Sequence, residues 1–87
     1  MVEDLRININ DYVLFKYMDD MYPGIVEEMY YDSALVSVME KYGQFGWRWP
    51  KEKDPLPYEF SDITKRISAP IPINKRGIYK IKELSLE

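Results

Sequence analysis

Proline and glycine cut this chain into short pieces, and that division decides which folds are open to it. Six prolines and four glycines, among them the adjacent Pro23-Gly24, leave little room for a helix beyond a turn or two. Proline lacks the amide donor that a helix interior needs, and glycine loses more conformational freedom on ordering than any other residue. The side chains between the breaks point the same way. Val, Ile, Phe, Tyr and Trp number 27, against 13 for Ala, Leu and Met. Stiff β-branched and aromatic side chains pack well on a pleated surface. The expected class is all-β. A chain of 87 residues is one small domain, expected to have a single core and no room for a deep multi-substrate cleft.

The alternation of apolar residues places the strands. Leu5, Ile7 and Ile9 share one face of residues 1–10, read as an N-terminal arm or lead-in strand. Tyr12 to Tyr17 alternates as a strand buried mainly on one face, and Asp19-Asp20 makes the turn after it. A second strand starts at Tyr22-Pro23-Gly24 and runs to Tyr30, with Glu27-Glu28 breaking the alternation as a bulge or bend does. Asp32-Ser33 turns into a third strand, Ala34 to Lys41, apolar on both faces and so expected to be central. The stretch Gln44 to Pro57 reads as a long irregular connection, held in place by Phe45, Trp47 and Trp49 because ordering large rings needs buried area. Tyr58-Glu59-Phe60 is the fourth strand. Ser61 to Thr64 reads as a capped single turn, and Ile67 closes the sheet. Five short strands with one helical turn before the last describe a small SH3-like barrel over residues 11–67. Residues 68–87 form a C-terminal extended segment packing on that barrel, fixed by Pro70 and Pro72 and ending in a strand-like Ile78 to Ile81.

The ordered combination of Tyr22-Pro23-Gly24, Val38-Met39-Glu40-Lys41, Trp47-Arg48-Trp49-Pro50-Lys51-Glu52-Lys53-Asp54 and Arg76-Gly77 resembles the Tudor-like, SH3-like barrel family. The closest likeness is to its members in uncharacterised animal proteins, some of them transposon-derived. The resemblance covers about Asn10 to Ile81. It implies the fold and a non-catalytic binding role but no particular ligand; the expected setting is nuclear and chromatin-associated, and the acidic first hairpin makes a histone tail one candidate partner. In that family an aromatic cage surrounds a methylated lysine or arginine, whose weakly hydrated cation is attracted to ring faces. Tyr17 and Tyr22 match the first two cage positions. Val38 stands where the third ring would be, and Tyr42 or Phe45 matches the loop position by approximate placement.

Charge narrows the choice of partner. Twelve Lys and Arg against 15 Asp and Glu give a net charge of −3. From Met18 to Glu40 there are six acids and no base, whereas Ser61 to Glu87 carries six bases and three acids, leaving −6 on residues 1–60. The acidic hairpin favours a basic protein or peptide. The preferred ligand surface is therefore Tyr17, Asp19, Asp20, Tyr22, Glu40 and Tyr42, with Phe45 beside it. Nucleic-acid binding through Lys65, Arg66, Lys75, Arg76, Lys80 and Lys82 is the less favoured reading, since bases on strand edges also guard against aggregation. Trp47 and Trp49, two apart in an extended segment, share a face. They serve either as an exposed partner anchor or as a seal folded back over the barrel. A separate class of function is an assembly or dimerisation module that uses a strand edge or the Trp47-Trp49 loop.

Catalysis is not expected. The chain has no Cys and no His, hence no disulfide, no thiolate zinc site, no usual general base and not the commonest metal ligand. Glu27 and Glu28 point to opposite faces of a regular strand and form no convergent acid/base pair. No metal and no cofactor are expected. The longest uncharged stretch, Ile67 to Asn74, is too short to span a bilayer, and the expected location is intracellular with no membrane association.

Overall fold

The computed structural model describes residues 7–43 and 46–84. Along the chain they form β1 (Tyr12–Tyr17), β2 (Asp20–Met29), β3 (Ser33–Val38), β4 (Glu40–Tyr42), β5 (Gly46–Arg48), β6 (Leu56–Glu59), β7 (Ile63–Ile67), β8 (Ile71–Pro72) and β9 (Ile78–Lys80). The described helices are two three-residue 3-10 turns, Phe60–Asp62 and Lys82–Leu84. The strands make two antiparallel sheets, ordered β6-β3-β2-β1-β7 and β4-β5-β9-β8.

The first sheet contains the five strand regions expected from the sequence, the fourth shifted from Tyr58–Phe60 to Leu56–Glu59 with Phe60 in the helical turn. β1, β2 and β3 follow one another as a meander; after β4 and β5 the chain comes back to pair β6 with β3, and after the Phe60–Asp62 turn β7 returns to pair with β1. β3 lies between β2 and β6, as its two apolar faces imply. The register of β2 on β3 slips between Val26 and Glu28, so the bulge expected at the paired glutamates is present at Glu27. Gly24 is fixed by close approach. A Cβ there would stand 2.6 Å from Val36 Cγ1 and 2.7 Å from the Ser37 carbonyl oxygen.

Several expectations need correction. The third strand ends at Val38 rather than Lys41. Met39 is fully buried with its N–H bonded to the Pro23 carbonyl at 3.0 Å, and there the chain leaves the first sheet for the second. Part of the stretch expected to be irregular is regular: Gly46–Arg48 pairs with both β4 and β9. β4, β5, β8 and β9 thus supply a four-stranded second sheet that the sequence did not announce, although the strand-like character expected from Ile78 is present in β9, and the two sheets do not show a closed barrel. The first turn is Met18-Asp19, with Met18 at φ 57°, because Asp20 already pairs with Tyr17. The next bend lies at Tyr31-Asp32, closed by the Tyr30 N–H bond to the Ser33 carbonyl at 2.8 Å. The helical turn starts at Phe60 with no side-chain cap, and Ile63 is already in β7. In the lead-in segment Ile7 is buried and Ile9 exposed, so these two do not share a buried face, while Leu5 lies outside the described residues.

The second sheet also changes the core. Two buried clusters form instead of one. Val13, Phe15, Val26, Ala34, Val36 and Ile63 pack together with Ile7. Leu14, Met39, Trp47, Ile67 and Ile81 form the other. β1 is therefore buried on both faces, odd residues in the first cluster and Leu14 in the second, because the second sheet covers what would otherwise be a wet face. Each fully buried aliphatic side chain contributes about 1.5–3 kcal/mol.

Candidate functional site

The pairing of β1 with β2 brings three rings together at the turn end of the first sheet, and β6 adds a fourth. Phe15 lies opposite Tyr22, and the two rings stack at 6.1 Å. Tyr17, two residues on and so on the same face, meets Tyr22 edge-on at 6.3 Å. Tyr58 reaches the group from β6, its ring 4.3 Å from that of Phe15, across from the small Ala34. Tyr17 is half-exposed, leaving ring surface open to solvent. Burial raises the Tyr58 phenol above its ordinary value, assisted by Tyr17 and Asp62 nearby.

These rings form one wall of an open cavity of about 820 Å³ between the first sheet and the Trp49–Asp54 loop. The loop side is anchored by the Trp49 ring, tilted against Tyr12 at 6.4 Å, and by an ion pair of Lys53 Nζ with Glu27 Oε2 at 3.2 Å. The bulge positions Glu27. It follows Ile25 by two residues, and Ser37 lies opposite Ile25, so the carboxylate and the hydroxyl share a face that lines the cavity. Ser37 is 4% exposed, and its Oγ makes no hydrogen bond within ordinary distance and angle limits. The hydroxyl is still near enough to Glu27 to hold that carboxyl below its ordinary value; burial opposes the shift and Lys53 adds to it. Glu52 and Asp54 bring further negative charge to the loop rim, and Lys51 positive charge.

The residues singled out in the sequence are divided between this cavity and other places. Tyr17, Tyr22 and Trp49 line it. Asp19 and Asp20 are exposed at the first hairpin turn and do not. Glu40 and Tyr42 sit on β4 in the second sheet, also outside the lining. There Glu40 accepts a 2.8 Å bond from Arg48 Nε, and the Arg48 guanidinium lies 4.9 Å from the Tyr42 ring centre. Tyr42 is half-exposed and is not among the rings that line the cavity with Tyr17 and Tyr22. Trp47 is 7% exposed, packed on Leu14 and Ile67 and edge-on to Tyr22 at 6.1 Å, so it seals the second cluster and offers a partner little surface. Phe45 lies outside the described residues.

Sequence reasoning missed Phe15, Tyr58, Glu27 and Ser37 as cavity residues. The break in alternation at Glu27-Glu28 was the available signal for Glu27. Tyr58 joins through pairing with a strand more than twenty positions earlier, which no local pattern announces. Among the described residues no group of three or more Asp or Glu is placed to hold a metal ion. Comparison of the chain with family models, with curated proteins and with solved structures finds no match.

Proposed function

We propose that this chain is a non-enzymatic recognition module of SH3-like, Tudor-like type that binds a basic peptide in the cavity between the first sheet and the Trp49–Asp54 loop. The fold part of the reading is supported by connectivity: a three-strand meander, an excursion through β4 and β5, β6 back on β3, a 3-10 turn, then a strand returning to β1. The binding part rests on one observation. The same 820 Å³ cavity is lined by the rings of Tyr12, Phe15, Tyr17, Tyr22, Trp49 and Tyr58 and by the carboxylates of Glu27, Glu52 and Asp54. Ring faces and carboxylates together suit a cationic side chain with an apolar stem, each well-placed ring contributing about 0.5–2 kcal/mol. The cage this supports differs from the expected one, with Tyr58 beside Tyr17 and Tyr22 in place of Tyr42 and the buried Phe15 backing them.

Assembly through a strand edge has less support. All four outer strands are blunted, β6 by Pro57, β7 by Lys65 and Arg66, β4 by Lys41 and β8 by Pro72. Titration of the ¹⁵N-labelled domain with lysine- and arginine-bearing peptides, unmethylated and methylated, tests the reading. Shifts confined to Tyr17, Tyr22, Trp49 and Tyr58 are expected, with none from an acidic peptide. Equal response to acidic and basic peptides, or no response, rejects it.

A further inference from the structure

We propose that the Glu27–Ser37 end of the cavity is a subsite for an ammonium group that keeps its N–H protons, and that Lys53 holds its Glu27 side as an internal ligand until an incoming lysine displaces it. The proposal rests on the basic-peptide reading and specifies its ligand.

Three features carry it. Ser37 offers a buried hydroxyl beside the Glu27 carboxylate, its oxygen accepting no hydrogen bond, on a surface that lines the cavity. A buried polar atom left unbonded is costly, and a donor arriving from the cavity removes that cost. Glu27, aimed to the same side by the bulge, already holds an ammonium 3.2 Å away, so the site's preference for that chemistry is visible in the chain's own lysine. Lys53 is nevertheless loosely committed. Its side chain is 72% exposed and stands on a loop, whereas the Glu27 side chain is 24% exposed. An exposed ion pair of this kind is weak and readily exchanged for another.

The donor count sets the selectivity. A primary ammonium carries three N–H donors and satisfies the Glu27 carboxylate and the Ser37 hydroxyl together. A trimethylammonium carries none. It keeps the Coulomb attraction but leaves the hydroxyl unbonded, and its methyl groups hold the charge farther from Glu27. The Tyr12 and Trp49 rings beside the subsite are placed to cover the methylene stem.

The test uses Nα-acetyl-lysine methylamide and its Nε-trimethyl counterpart, titrated into ¹⁵N-labelled wild type, Lys53→Ala and Glu27→Gln. Lys53→Ala is expected to bind the lysine probe about two- to five-fold more tightly than wild type, the exchange of one exposed ion pair. It should prefer that probe to the trimethyl form, and Glu27→Gln should lose the preference. In wild type, the Lys53 side-chain resonances should move toward their free values as the lysine probe is added. Unchanged affinity in Lys53→Ala, or an equal gain for both probes, overturns the internal-ligand proposal while leaving the basic-peptide reading intact. Failure of either probe to shift any cavity residue in wild type and Lys53→Ala overturns both. Amide dispersion of each variant matching wild type establishes that the fold is retained.

Discussion

The ring centroid of Tyr58 lies 4.3 Å from that of Phe15, with the two planes inclined at 36°. This contact joins the outer strand β6 to β1, three places along the sheet order, and Ala34, opposite Tyr58 in β3, leaves the room for it. Replacing Tyr58 by Ala removes ring area from the first cluster and exposes the face of Phe15. The expected loss is about 2 kcal/mol, measured by chemical denaturation. Tyr58→Phe should keep most of that stability.

The same residue makes alkaline stability testable. Burial raises the Tyr58 phenol, so the folded chain holds the proton to higher pH than the unfolded chain. Its contribution is present in full below the unfolded phenol value, about 10, and is lost as pH climbs through the folded value. Denaturation midpoints followed from pH 9 to about 11 should fall less steeply in Tyr58→Phe than in wild type. Equal slopes would remove Tyr58 as a source of the alkaline loss.

Acid stability turns on Glu83 and Glu27. Burial opposes ionisation of Glu83, but bonds to its Oε2 from the Ser68 N–H at 3.1 Å and the Ser68 hydroxyl at 3.2 Å, with Lys65 nearby, hold the carboxyl below its ordinary value. Glu27 is lowered by Ser37 and Lys53. A lowered folded value means stability that is present above the unfolded carboxylate value, about 4.3, and lost as pH falls through the folded one. Glu83→Gln should flatten part of the decline in denaturation midpoint below that value.

Gly24 tolerates no side chain. A methyl group there meets Val36 Cγ1 and the backbone oxygen of Ser37, and backbone does not give way cheaply. Gly24→Ala should cost about 1–3 kcal/mol, the usual range for overpacking, with amide shifts spreading along β2 and β3.

Met18 carries the opposite expectation. It is exposed and holds φ 57° in the first hairpin turn, a conformation that suits glycine. Met18→Gly should raise stability by about 1 kcal/mol, the cost of the left-handed region for an ordinary residue. A lower melting temperature in this variant would contradict the reading.

What the sequence revealed was the part governed by neighbours along the chain. The first sheet follows from alternation and turn residues within short windows, and the bulge from two adjacent glutamates. The second sheet was hidden because its strands are short and its pairing is distant: Trp47 lies opposite Tyr79, and three residues on either side carry no periodicity. For the same reason Tyr17 and Tyr22, brought together by one hairpin, were found, while Tyr58 was not. Glu40 and Tyr42 were assigned to the wrong neighbourhood because nothing local marks Met39 as the point where the chain changes sheets.

The pairing of Trp47 with Tyr79 sets an order of events during synthesis. A ribosome has delivered β1 to β3 and Trp47 well before it reaches Tyr79, and until then β5 lacks the neighbour that completes its pairing. Closing a loop of that length is the slower step compared with forming consecutive hairpins. The nascent chain therefore carries an unsealed tryptophan for tens of residues, beside a segment, Met18 to Glu40, that holds six acids and no Lys or Arg, and like charge of that kind opposes self-association.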